Sequence, residues 1–255
     1  MATEFERYWV HWNRENPHGT VSLIVPVKNA GKYVDRMIRY VRKTWNSSWG
    51  ELEIIVVDDH SADNTCAVAD TEADVVIPMK RSSGKGGCVR AGMEKARGDY
   101  RLVVEPKRIK EIDRAPVFIE WLKSGTDVVI GNRFASSNQK GYRGNFPAII
   151  ARKIADTNIA PGVTDTRSGF IAFNRHSGKK LYERSFINGL GNDSEIIGLA
   201  LRDGMKVREV PIVDSDSPPT REILRVSTAI NLIADSIRFK SRWGKRQKSN
   251  RVVLK

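Results

Sequence analysis

Long apolar runs are missing from this chain of 255 residues, and none approaches the length of about 18 that a membrane-spanning helix needs. Cysteine is scarce as well. Cys66 and Cys88 are too few and too isolated for a disulfide framework or a cysteine metal site, so both are expected to be small buried apolar residues. Only four histidines are present, His11, His18, His60 and His176, and their spacing excludes a histidine metal triad. The N-terminus, MATEFERYWVHWNRENPHG, has neither the apolar core of a signal peptide nor the acid-poor character of a transit peptide. A cytoplasmic protein, peripheral to a membrane at most, is expected. There is no internal repeat and no low-complexity tract.

Acids are in deficit. Against 43 Lys and Arg stand 30 Asp and Glu, a net charge of +13, which implies an anionic partner: phosphates, nucleic acid or a membrane surface. Much of the excess lies between Arg238 and Lys255, where KSRWGKRQKSNR reads as a solvated tail. The hydrophobic content of 40% suits an ordinary soluble core.

What is present is an alternation of strands and helices. Residues 53–65, EIIVVDDHSADNT, form its centre. The unbroken run Ile54 to Val57 predicts a parallel strand covered on both faces, since such a strand needs no polar alternation. It stops on Asp58 and Asp59, at the carboxyl edge where open α/β sheets bind ligands. Ser61 and Asp63 then predict a helix running to about Ala73. Before it, Val21 to Val27 is a first strand and Val34 to Val41 a helix. After it come a short strand at Val75 to Ile77, a glycine-rich basic loop, GKGGCVRAG, that opens a helix, and strands at Arg101 to Val104 and Asp127 to Ile130. Asp113 and Pro116 mark a further helix start. This order predicts an α/β, Rossmann-like, mainly parallel central sheet flanked by helices.

Beyond Asn132 the spacing predicts a loop at 141–146, a helix at 147–157, a strand at 168–173, a helix at 193–201, a strand at 206–211 and a turn-rich linker at 215–219. Ile223, Val226, Ile230, Ile233 and Ile237 then recur at helical spacing, which predicts a C-terminal amphipathic helix with Arg221, Arg225 and Arg238 nearby. Packing of that apolar stripe on the sheet is favoured over a membrane-surface role. Three regions are expected: an N-terminal extension over 1–20, a catalytic domain over 21–213, and a linker, amphipathic helix and basic tail over 214–255.

Seven segments in order, IVPVKNAGKYV, VVDDHSADNT, GKGGCVRAG, a strand ending in an acid, DVVIGNR, DTRSGFIAF and NDSEIIGLALRDG with VREVPI, resemble the inverting nucleotide-sugar glycosyltransferases of GT-A type, glycosyltransferase family 2. The similarity is greatest to the branch of dolichyl-phosphate mannose synthases and polyprenyl-phosphate sugar transferases. The resemblance implies a UDP- or GDP-sugar donor and a polyprenyl-phosphate-like acceptor. It assigns donor contacts to Pro26, Asn29, Asp58, Asp59, Lys85, Gly86, Glu105 and Arg133. Asp58 can accept hydrogen bonds from a nucleobase, and Lys85 between glycines suits close approach to an anion at a helix N-terminus. Asp193 and Glu195 fall where the family places acceptor-side carboxylates, with Asp193 the better general base; an N-cap explains the same spacing. Asp165 and Arg167 shape the acceptor side, joined by Arg221.

The chain departs from the family where an Asp-x-Asp type motif should hold a divalent metal. It has Glu105, Pro106 and Lys107. Glu105 keeps one carboxylate for Mg or Mn, and Lys107 places a cation where a second anion should stand. Either the Lys107 ammonium neutralises the leaving diphosphate without a metal, or the metal site has decayed, or Lys107 points into solvent. Two other functions therefore stay open beside lipid glycosylation: transfer to nucleic acid or protein, which the charge suits, and a non-catalytic binding role.

Overall fold

The computed structural model describes residues 19–134, 158–189, 191–212, 226–244 and 253–254. The expected N-terminal extension, the loop and helix at 141–157, and the linker with Arg221 lie outside these residues. Among those described, eight strands form one sheet in the order β3-β2-β1-β4-β6-β5-β7-β8. They are β1 (Thr20–Val27), β2 (Glu51–Asp58), β3 (Val75–Pro78), β4 (Tyr100–Val104), β5 (Val128–Asn132), β6 (Phe170–Asn174), β7 (Val207–Pro211) and the two-residue β8 (Val253–Leu254). All pairs are parallel except those of β6, which runs antiparallel to both β4 and β5. The helices are α1 (Val34–Thr44), α2 (Thr65–Ala69), α3 (Gly84–Lys95), α4 (Ala115–Lys123), α5 (Arg175–Arg184), α6 (Asn192–Arg202) and α7 (Val226–Trp243).

The unbroken apolar strands serve two cores because successive side chains alternate between faces. Leu23, Val25, Ile54 and Val56 join α1 and α4 on one face, with Met37, Ile38, Phe118 and Phe170. Ile24, Ile55 and Val57 face the other way, toward Cys88, Val89, Met93, Ile196 and Phe239. Each large side chain so buried is worth about 1.5–3 kcal/mol. Cys88 is fully buried, as expected, but Cys66 is only partly buried and donates to the Asp58 carboxylate.

Four expectations change. The helix after Asp59 is only α2, because Asp63 bonds the Thr65 amide and takes the chain through a turn first. A 3-10 helix, Pro106–Arg114, precedes α4. Val253–Leu254, assigned to a solvated tail, pairs with β7 instead. The fourth concerns α7, whose docked face is not the isoleucine stripe. Leu232, Asp235, Ser236 and Phe239 are buried, whereas Ile230 and Ile237 are 61% and 63% exposed and Ile233 is also exposed. At about 100° per residue the two sets lie on opposite sides of the helix. Asp235 and Phe239 win the docking face because they meet glycines: a β-carbon at Gly191 would lie 2.6 Å from Asp235 Oδ2, and one at Gly198 would lie 2.9 Å from Phe239 Cζ.

Candidate active site

Strand order reverses between β1 and β4, because the chain leaves β1 for β2 and β3 and then returns to the other side of β1. In open α/β sheets the crevice at the carboxyl ends of such a pair is where ligands bind. Lys28 and Asn29 follow β1 there, Asp58 ends β2, and Glu105 follows β4.

Asp58 and Asp59 behave differently from the acids across the crevice. The Asp58 carboxylate accepts from the amide and hydroxyl of Ser61 and from Cys66 Sγ at 3.2 Å. Asn29, held at φ +50°, donates its amide to Ser61 Oγ and accepts the Ala62 amide on its side chain. Pro26 pairs with Val57 inside the sheet. Asp59 accepts the amides of Ser83 and Gly84 at 2.5 and 3.0 Å and the Ser82 hydroxyl at 2.8 Å, with Lys28 Nζ at 3.5 Å. Burial works against its charge, but these donors outweigh burial and hold its carboxyl below the usual range. Asp59 thereby fixes the start of α3.

The glycines of that start make room for protein. A β-carbon at Gly84, whose φ is +70°, would lie 2.6 Å from the Asn188 carbonyl, and one at Gly86 2.3 Å from the Ile187 carbonyl. The Gly86 amide donates to Asn188 O at 2.9 Å, so it is spent on backbone rather than left for an anion. Residues 186–188 are held from the other side by Glu195, whose buried carboxylate accepts the amides of Phe186 and Ile187. Burial raises the Glu195 carboxyl above its usual range despite those bonds.

Lys85 is pinned between these supports. Its Nζ lies 2.5 Å from Glu105 Oε1 and 2.5 Å from Asp193 Oδ2, while Lys107 Nζ lies 3.0 Å from Glu105 Oε2. Burial opposes the Lys85 charge, yet the two carboxylates override it and raise its pKa. Burial also opposes the Glu105 charge, and the two ammoniums override it, bringing Glu105 down to about 2. Asp193 goes the other way: its burial outweighs Lys85, and its pKa is raised. Its second oxygen, Oδ1, is buried without a hydrogen-bond partner among the described residues. Glu105 leans on Gly169, where a β-carbon would lie 2.9 Å from its carboxyl carbon, and its amide donates to Gly169 O.

Arg133 reaches Asp165 with Nε at 2.7 Å and Nη2 at 2.8 Å, and also donates to the Arg167 carbonyl. The fully buried Asp165 is placed in turn by Glu209, which accepts its amide at 3.1 Å along with the amide of Thr164 and the side chain of Asn132. Glu209 and the 186–188 segment were absent from the sequence reading. An acid inside the apolar strand VREVPI was the available signal for Glu209. Nothing local marks Ile187 or Asn188.

Metal fit turns on the oxygens. Both of Glu105 are taken by ammoniums, Asp193 gives one to Lys85, and among the described residues no group of three His, Cys, Asp or Glu side chains is placed to hold an ion. Divalent ions need several oxygens uncommitted to other cations, so this donor set does not fit one.

The sequence profile described as "Glycosyl transferase family 2" matches residues 22–182, more than half of the chain and nearly all of the β1-to-α5 frame of this crevice. The chain belongs to glycosyl transferase family 2. It is 27% identical over 240 residues to a dolichyl-phosphate beta-glucosyltransferase of Trichomonas vaginalis, covering 86% of this chain and 72% of that protein. It is 25% identical over 222 residues to the dolichyl-phosphate beta-glucosyltransferase of Saccharomyces cerevisiae, covering 75% and 66%. Among solved structures it is similar to glucosyl-3-phosphoglycerate synthase from Mycobacterium tuberculosis in complex with Mn2+, UDP and phosphoglyceric acid, with TM-score 0.62, 17% identity, and coverage of 90% of this chain and 80% of that one. That likeness shows the fold, which is of GT-A type. No helix among the described residues of this family 2 chain is long and apolar enough to cross a membrane.

Proposed function

We propose that this family 2 chain transfers a sugar, with inversion, from a nucleoside diphosphate sugar to a polyprenyl phosphate at a membrane surface. The observation that carries the acceptor assignment is the outward isoleucine face of α7. A helix that docks through Asp235, Ser236 and Phe239 while exposing Ile230, Ile233 and Ile237 has the form of an interfacial helix, with Lys240 beside the apolar stripe to meet anionic lipid. The docked face abuts Gly191, which caps α6, the helix that carries Asp193 in its first turn. A cavity of about 420 Å3 lies between α7 and residues 186–189, lined by Phe186, Ile187, Leu232, Asp235 and Arg238, so apolar and cationic groups share it. An isoprenoid phosphate would set its apolar chain against the former and its anionic head against Arg238, which Asp235 of the same lining pairs at 3.3 Å. The names of the relatives above point to the same acceptor and to glucose as the sugar, and they lend no support to nucleic acid.

A phosphate acceptor arrives already ionised and needs no general base. Asp193 then serves to hold Lys85, and the acids Asp58 and Asp59 serve through the turns they tie. The test is transfer of label from UDP- and GDP-sugars to polyprenyl phosphate in anionic vesicles. Lipid-soluble product is expected, together with reduced vesicle sedimentation for Ile230→Glu/Ile237→Glu at an unchanged melting midpoint. Label that passes only to water, or sedimentation indifferent to those substitutions, would remove the lipid assignment.

A further inference from the structure

We propose that Lys85, with Lys107 as its second, is the built-in cation that receives the donor diphosphate, so that this enzyme binds donor and transfers sugar without a divalent metal. The inference deepens the proposed function and rests on it.

Charge supplies the first argument. A divalent ion between two acids leaves a neutral centre; here Lys85 between Glu105 and Asp193, with Lys107 on the other oxygen of Glu105, gives the same balance. An ammonium has three N–H donors; Lys85 gives one to each carboxylate, which among the described residues leaves one for a phosphate oxygen. Position supplies the second. Lys85 lies in the first turn of α3, where the helix dipole favours an anion and Asp59 already holds the amides of Ser83 and Gly84. A cation at a helix N-terminus is locally unfavourable, and an ion triad taken out of water gains little stability over apolar packing. Both costs are explained by an anion that arrives later.

Rigidity supplies the third. A metal ion holds a diphosphate by fixed coordination, so an ammonium that replaces it must itself be fixed. Asp59 holds the amides of Ser83 and Gly84, Asn188 holds the amide of Gly86, and the close approach of Ile187 and Asn188 leaves no room for a β-carbon at either flanking glycine. The side chain ends between two carboxylates, 14% exposed. In transfer, an acceptor phosphate oxygen forms the bond to the anomeric carbon while the bond from that carbon to the diphosphate oxygen breaks. The electron pair leaves on the nucleoside diphosphate, where the ammoniums meet the charge it develops.

The test uses the full chain, with binding of UDP, GDP, uridine and guanosine measured by calorimetry in excess EDTA and again with Mn2+, alongside transfer. Diphosphate binding and transfer that are the same in EDTA as in Mn2+ support the inference. Lys85→Met should weaken the diphosphate by about ten- to a hundredfold while leaving the matching nucleoside unchanged; equal loss of both would make Lys85 a purely structural residue and overturn it. Lys85→Arg keeps the charge should the methionine variant fail to fold, and retention of diphosphate affinity in EDTA is expected. Binding seen only with Mn2+ would overturn the inference and leave the glycosyltransferase assignment standing. Silence from every nucleotide, with or without metal, would overturn both.

Discussion

The two banks of the crevice handle their acids in opposite ways. On the β2 side, Asp58 and Asp59 are met chiefly by neutral donors, the hydroxyls of Ser61 and Ser82, the amides of Ser61, Ser83 and Gly84, and a thiol. On the β4 and α6 side, Glu105 and Asp193 are met by ammoniums, and one oxygen of Asp193 has no partner among the described residues. Neutral donors complete a turn, which suits a bank that holds the loops in place. A buried ionic cluster with an unmatched oxygen is stable only by virtue of its surroundings and responds to an incoming charge. The second bank is where we propose that the chemistry takes place.

The largest effect should come from breaking the second bank. Asp193→Ala leaves the buried Lys85 with one carboxylate and is expected to cost about 3–5 kcal/mol in denaturant unfolding, with loss of transfer; retention of full transfer would show that the triad is not the working centre. Next, Gly86→Ala drives a β-carbon against the Ile187 carbonyl, and overpacking of this kind costs about 1–3 kcal/mol. Because the displaced segment also touches the α7 cavity, donor affinity and vesicle sedimentation should fall together, and independent changes would uncouple the two.

Asp59→Asn should act mainly on stability, by about 1–2 kcal/mol, with donor affinity moved little, because it weakens the hold on the start of α3 without touching the ammonium. A large affinity loss at unchanged stability would erase the distinction between the banks. The smallest effect is in acid. Glu105 is depressed from 4.5 to about 2, so its contribution to stability is complete above 4.5 and disappears as pH falls through about 2. The unfolding free energy of Glu105→Gln should therefore depend less on pH across that window than that of the native chain; parallel profiles would mean that Lys85 and Lys107 do not hold the carboxylate.

Much of this site could be read before any coordinates. Glu105, Lys107, Asp193 and Lys85 were each singled out, since a strand end, a helix start and a glycine-flanked lysine are local signals. What stayed hidden was who pairs with whom. Lys107 was the candidate cation because it sits two residues from Glu105, yet Lys85, 20 residues away in sequence, takes the other oxygen and reaches Asp193 as well. The isoleucine stripe of α7 was legible as a stripe, but its direction was not. A helical pattern with two usable faces is decided by what the partner surface offers, here Gly191 and Gly198 against Asp235 and Phe239.

The sequence by itself determined the parallel frame, its two-faced strands and the acids at their carboxyl ends, because apolar runs of strand length and their stops are properties of contiguous residues. Only the tertiary structure decided that two glycines serve the close approach of the 187–188 backbone, that Glu195 holds that backbone from behind, and that Lys85 closes the gap between Glu105 and Asp193. Those outcomes depend on segments about 100 residues apart meeting across the sheet, and the cost of bringing them together is met by cores to which no single motif contributes more than a few side chains.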